Sequence, residues 1–131
     1  MGYLEEARQR FASDLFATET TGIVIEAADI NYAKCRLTIA KIHQNAAGTV
    51  MGGVIYTLAD FCFAVAANTG NPLTVSQTGT VTYLGAAKGT QLIAEATCVK
   101  SGRSTCFFIV EVRDELGTLV ASVGISGFRK S

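Results

Sequence analysis

The 131-residue chain has no tryptophan, one proline and one histidine, and its four cysteines include no CxxC pair. With one imidazole far in sequence from any thiol, the ligands of a zinc or other transition-metal site are missing, so neither a metal nor another cofactor is expected. Charge of one sign is lacking too, because 11 Lys and Arg balance 11 Asp and Glu. The cations are scattered, which excludes nucleic acid and an anionic membrane as main partners. Little charge repulsion opposes self-association. No apolar run reaches the ~20 residues of a membrane helix without an interrupting Gly, Asp or Asn. MGYLEEARQRF presents its features in the wrong order for a secretory signal. The expectation is therefore a cytoplasmic protein in which Cys35, Cys62, Cys98 and Cys106 are reduced thiols.

What the chain does have is apolar residues, at 49%, enough for the core of one domain spanning 1–131. Leu4, Ala7 and Phe11 fall at helical spacing and predict an N-terminal amphipathic helix within residues 1–15. Alternation predicts strands at Gly22–Ala28 and Tyr32–Ile39, with a turn at Asp29–Asn31. A long apolar helix follows over residues 52–69, stopped by Gly70-Asn71-Pro72. Strands are then predicted at Thr74–Leu84, Gln91–Lys100, Ser104–Arg113 and Leu119–Phe128, the last three as an antiparallel meander. The fold class is α+β, an antiparallel sheet wrapped around one long central helix. Several strands are apolar on both faces, so the outer face needs cover that one helix cannot give.

Asp60 is the only formal charge in the long helix. A carboxylate there is costly unless paired, solvated in a cleft, or functional. At 100° per residue, Gly53, Tyr56, Thr57, Ala64 and Ala67 fall within about 60° of it. Ile55, Leu58, Cys62 and Val65 take the opposite side. The bulky face should plug the sheet, and the small face should look into a cleft or a second subunit.

The stretch HQNAAGTVMGGVIYTLAD resembles the signature of hotdog-fold acyl-CoA thioesterases of the phenylacetic-acid-degradation type. That pattern reads His-x-Asn-x-x-Gly-x-x-His-Gly-Gly, then a helix with Leu-Ala-Asp. The likeness continues through VSQTGTVTYLGAAKGTQLIAEATCVKSGR and covers roughly Gly22 to Phe128. It implies a hotdog fold and hydrolysis of an acyl-CoA thioester. It also implies roles. Asn45 and the backbone N–H of Gly52 would polarise the carbonyl, Asp60 would act as general base or nucleophile, and Ser76 would help hold the water. Gly53, Met51, Tyr56 and Thr57 would line the substrate cleft. Apart from the resemblance, Thr78, expected on the same strand face as Ser76, is a candidate to line the acyl pocket, and Lys100 and Arg103, which bracket a turn, are candidates to meet CoA phosphates.

Gly52 and Asp60 are eight residues apart on one helix, a rise of about 12 Å. If both act on one thioester, Asp60 must come from a neighbouring subunit whose helix runs antiparallel. A homodimer is then required, and a homotetramer is the larger assembly expected. Met51 stands where the family pattern has its second His, and a thioether cannot donate a hydrogen bond. Reduced activity, or a non-catalytic acyl-CoA-binding or sensing role, is the alternative reading. A hotdog enoyl-CoA hydratase ranks lower, because no His lies near Asp60 in the helix.

Overall fold

The strictest alternation in the chain, Cys106, Phe108, Val110 and Val112 against Phe107, Ile109 and Glu111, becomes the centre of the sheet. That strand buries every second residue along its length. In the computed structural model, residues 2–130 are described; Met1 and Ser131, parts of the expected 1–131 domain, lie outside the described residues. The elements are helix α1 (Tyr3–Arg10), strands β1 (Val24–Asp29) and β2 (Tyr32–Thr38), helix α2 (Gly52–Asn68), and strands β3 (Thr74–Tyr83), β4 (Gln91–Ser101), β5 (Thr105–Asp114) and β6 (Leu119–Arg129). The six strands form one antiparallel sheet in the order β1-β2-β4-β5-β6-β3. α2 packs against one face of it, so the expected fold class and the β4–β5–β6 meander are both present.

The bulky face of α2 is the core, as the angular sorting predicts. Leu58, Cys62 and Val65 are fully buried, Ile55 nearly so, and Phe63 meets Phe108 of β5 edge to face. Two devices stop the helix. The Asn68 side chain donates to the carbonyls of Ala64 and Thr74 and accepts from the Thr74 N–H. Gly70 then takes a left-handed backbone (φ 66), and a Cβ there would sit 2.7 Å from Ile30. The helix ends at Asn68, one residue short of the expected 52–69, with Thr69 as its cap. Arg129, buried and without a carboxylate partner among the described residues, donates to Ala67 O, Thr74 Oγ1, Asn31 Oδ1 and Ser101 Oγ. It thereby pins the C-terminal end of α2 to the sheet, where a cation suits the helix dipole.

The N-terminal region departs from the expected single helix over 1–15. α1 ends at Arg10, a 3-10 turn covers Phe11–Ser13, and a π-helical turn covers Phe16–Thr21. Arg8 donates to Ile25 O of β1, Arg10 donates to Asn68 O of α2, and Phe11 stacks edge-on against Phe61. These anchors bend the segment across the domain, and Gly22, left-handed at φ 88, releases the chain into β1.

β3 differs from every other strand. Like β1 it is an edge strand, pairing only with β6 among the described residues, but all except Thr74 and Val81 of its ten residues are exposed. A register shift between Ser76 and Thr78 adds a bulge at Gln77. Ser76 opposes Gly127, on the helix side, whereas Thr78 opposes Ser126, on the outer side. Thr78 is therefore not on the face of Ser76, contrary to expectation. The extra residue reverses the alternation.

Candidate active site

The loop that leads into α2 is held from behind by His43. This residue is buried; its Nδ1 accepts from the Ala40 N–H and its Nε2–H donates to Thr21 O, each at 2.8 Å. Both nitrogens are spent on backbone, so His43 positions the loop. Its carbonyl accepts from the Met51 N–H and closes the loop onto the helix start.

Asn45 folds the loop around its own side chain. Oδ1 accepts from the N–H groups of Ala47 and Thr49 and from Thr49 Oγ1. Two backbone donors on one oxygen fix which end of the amide is which. The Nδ2 group has no hydrogen-bond partner among the described residues and stands on an exposed loop. It is an oriented, unspent donor.

The N-terminus of α2 supplies more. Val54 and Ile55 N–H both donate to Met51 O, while the N–H groups of Gly52 and Gly53 find no acceptor among the described residues. Such free N–H groups at a helix start, with the dipole behind them, suit a developing negative charge. Tyr83, part of the likeness but given no role by it, fixes this turn. Its Oη donates to Gly52 O at 2.8 Å, and its ring lies so close that a Cβ on Gly52 would be 2.9 Å away. Met51 is 49% exposed, and its Cε lies over Gly53. Beside this end lies a cleft of about 330 Å³ lined by Thr49, Val50, Ile55, Tyr83 and the small residues Gly85 to Ala87.

Asp60 projects from the crest of the small face. Among the described residues it makes no hydrogen bond and no ion pair. Apolar neighbours strip water from it and push its pKa up, and Asp14 pushes it further in the same direction. Solvent still reaches the carboxylate, so the surroundings are only partly desolvating. A second cleft of about 290 Å³ joins Asp60, Thr57 and Ala64 to the segment from Asp14 to Ala17.

The order of contacts along α2 places Ser76. Tyr83 lies on Gly52, Gly79 lies under the Tyr56 hydroxyl, and Thr74 is bonded to Asn68. β3 therefore runs antiparallel to the helix, with Ser76 between the levels of Tyr56 and Asn68. Asn45, Gly52, Gly53 and Met51 gather at the start of the helix, about 12 Å from Asp60 along its axis. Lys100 pairs with Phe107 on the outer face of the sheet and, with Gln77 and Ser126, lines a separate hollow of about 250 Å³. Arg103 is exposed in the β4–β5 turn. Neither cation, nor Thr78, joins the helix-side cluster.

The four thiols are free, Cys98 half-buried and the others buried, and no cluster of three potential metal ligands occurs among the described residues. No helix of the described chain is long and apolar enough to cross a membrane.

The profile of the thioesterase superfamily matches residues 47–121, which is 75 of 131 positions. An Archaeoglobus fulgidus protein with a provisional esterase name is 38% identical over 91 residues, 69% of this chain and 59% of its own length. The chain thus spans less than two-thirds of that relative. A mutant of the phenylacetic acid degradation protein PaaI from Thermus thermophilus superimposes with a TM-score of 0.81 at 31% identity, covering 86% of this chain and 97% of that one. A hypothetical thioesterase from Streptococcus pneumoniae, solved with coenzyme A, gives a TM-score of 0.85 at 21% identity, covering 95% and 97%. Sheet, helix and family profile agree: the chain belongs to the thioesterase superfamily, on a hotdog fold of the phenylacetic-acid-degradation type.

Proposed function

We propose that the protein hydrolyses an acyl-CoA thioester to the free acid and CoA, at two sites shared across a homodimer. The observation that carries this reading is the split of donors and base between the start and the middle of one helix. Free N–H groups and the Asn45 amide stand at the start of α2, while an unpaired carboxylate of raised pKa stands eight residues on.

In this mechanism the Gly52 N–H and Asn45 Nδ2 of one subunit hold the thioester oxygen. Asp60 of the other subunit takes a proton from water as the water oxygen attacks the carbonyl carbon. The tetrahedral oxyanion then collapses, the C–S bond breaks, and the proton on Asp60 passes to the leaving sulfur. A covalent anhydride on Asp60 is the other route the same geometry permits. Ser76, on the helix-facing side of β3, helps hold the water. Gly53, Tyr56 and Thr57 line the cleft.

Symmetry adds a constraint. If Gly52 of one helix faces Asp60 of its antiparallel partner, position 56 lies midway and Tyr56 sits at the two-fold axis. Tyr56 rests on Gly79, and Gly79 lies near the middle of the exposed edge strand β3. An axis through Tyr56 thus also passes near the centre of β3, so one operation pairs the helices and brings two unpartnered strand edges together. Further association through the apolar outer face, where Val99, Phe107 and Ile109 are exposed, would give the tetramer.

Steady-state hydrolysis of a panel of acyl-CoA thioesters tests the reading. Turnover of at least one is expected. Binding without turnover would favour the alternative that Met51 raises, a cytoplasmic acyl-CoA sensor. The hydratase reading lacks support, since the only imidazole is committed to backbone.

A further inference from the structure

Leu15 and Phe16 are 55% and 66% exposed, the largest side chains left open on the helix side of the domain near Asp60. Nothing loose puts them there. The residue before them, Asp14, accepts from Thr18 N–H and Thr18 Oγ1 through its carbonyl. Ala17, just after, is buried and accepts from both Gly22 and Ile23 N–H. Phe11 is stacked against Phe61 upstream, and Thr21 O is bonded to His43 downstream. The π-helical turn between these anchors is held rigidly and turns two large apolar side chains outward, and such turns are frequent at functional positions.

We infer that the segment from Asp14 to Ala17 is one wall of the acyl-binding groove, and that this groove selects a neutral, apolar acyl group of short to medium length. The inference rests on the thioesterase reading and names its substrate class. The groove contains Asp60, so a thioester carbon beside that carboxylate must send either its acyl part or its CoA arm along Asp14, Leu15 and Phe16. Charge decides between them. The groove's only ionisable groups are two carboxylates, Asp14 and Asp60, with no cation among its lining residues. The phosphates of CoA are repelled there, and so is an acyl group ending in a carboxylate. The CoA arm leaves by the partner's cleft beside Gly52, which is lined by small residues and borders the loop carrying Lys88. What remains for Leu15, Phe16, Phe61 and Ala64 to cover is apolar. At about 290 Å³ on one chain, the groove matches the lower end of small-molecule sites, the size of a short to medium acyl group.

Calorimetric titration of the full chain with non-hydrolysable thioethers tests this without requiring turnover. The ligands are CoA, hexyl-CoA and carboxypropyl-CoA. Hexyl-CoA is expected to bind at least about tenfold tighter than CoA, given the methylenes buried. Carboxypropyl-CoA is expected to show no such gain. The double substitution Leu15→Ser with Phe16→Ser should erase the hexyl preference, and Leu15→Met with Phe16→Leu should keep it, both with melting transitions like the parent. Asp14→Asn should narrow the gap between the carboxypropyl and hexyl ligands. A hexyl preference that survives the double serine substitution, or a wild type that prefers the carboxypropyl ligand, overturns the inference. Tight hexyl-CoA binding with no hydrolysis of any thioester would instead sink the hydrolase reading and leave the groove standing.

Discussion

Asp60 and Asp114 are both carboxylates in the folded domain, and their surroundings are opposites. At Asp114 burial works to raise the pKa, but N–H groups of Lys88, Gly89, Leu116 and Thr118 converge on its two oxygens and hold it at about 2. Asp60 receives no hydrogen bond at all among the described residues, and apolar walls with Asp14 nearby push its pKa up. The first carboxylate closes the β5–β6 turn and ties it to the loop before β4. The second costs stability wherever it is ionised, and a fold keeps such a group where it has work to do.

The two should separate cleanly on substitution. The largest effect is expected from Asp60→Asn, which should cut kcat by roughly 10²–10⁴ by removing the base. The same variant should melt higher than the parent at neutral pH. In the parent the folded pKa of Asp60 lies above the ordinary carboxylate value. Folded Asp60 therefore holds its proton more tightly than unfolded, and stability falls as pH rises through that window. The gain from the amide substitution should vanish at pH below the ordinary carboxylate range. Unaltered turnover, or a lower melting point at pH 7, breaks the contrast.

A second effect is expected at the start of the helix. Gly52→Ala drives a methyl into the Tyr83 ring, so kcat/KM should fall by about ten- to a hundredfold, with the far-ultraviolet spectrum unchanged.

Asp114→Asn should do the reverse of Asp60→Asn. An amide NH₂ facing the Lys88 and Gly89 N–H groups loses those bonds, so the melting temperature should drop while kcat at a permissive temperature is retained. The sign in pH is also reversed. Its folded pKa is depressed, so its contribution is complete above the ordinary carboxylate value and is lost as pH falls toward about 2. The parent should therefore lose its advantage over the variant across that acid range.

The smallest effect is Met51→His, which places a donor beside the two free N–H groups. Turnover should rise severalfold, and an unchanged rate would show that this position is not short of a donor.

Much of this was legible in the sequence because it is periodic. The two faces of α2, the alternation in β5 and the stop at Gly70 each leave a pattern in residue spacing, and the structure reproduces them. Single-residue insertions leave none. The bulge at Gln77 reverses the face of Thr78, and nothing in VSQTGTVTY marks where the count slips. The π-helical turn at Phe16–Thr21 is hidden likewise, since its five-residue hydrogen bonds suit neither helical nor strand spacing. Tyr83 was quoted within the likeness without a role, because its partner, Gly52, lies thirty-one residues away and is recognised only by the absence of a side chain. Asn45, Gly52 and Asp60 were assigned from motif and spacing, and the fold sets them along the start and middle of α2. Lys100 and Arg103 were assigned from a turn and lie away from that helix, while the bulge puts Thr78 on the opposite face from Ser76.

The central claim is that one active site draws on two chains. Asn45→Ala and Asp60→Asn proteins, each inactive alone, can be unfolded together, refolded as a mixture and assayed. In a mixed dimer one site loses both residues and the other keeps both. Random pairing of equal amounts should therefore restore about a quarter of the parent's activity. A mixture as inactive as its components, with mixed dimers demonstrably present, would place the whole site within one chain and contradict the account.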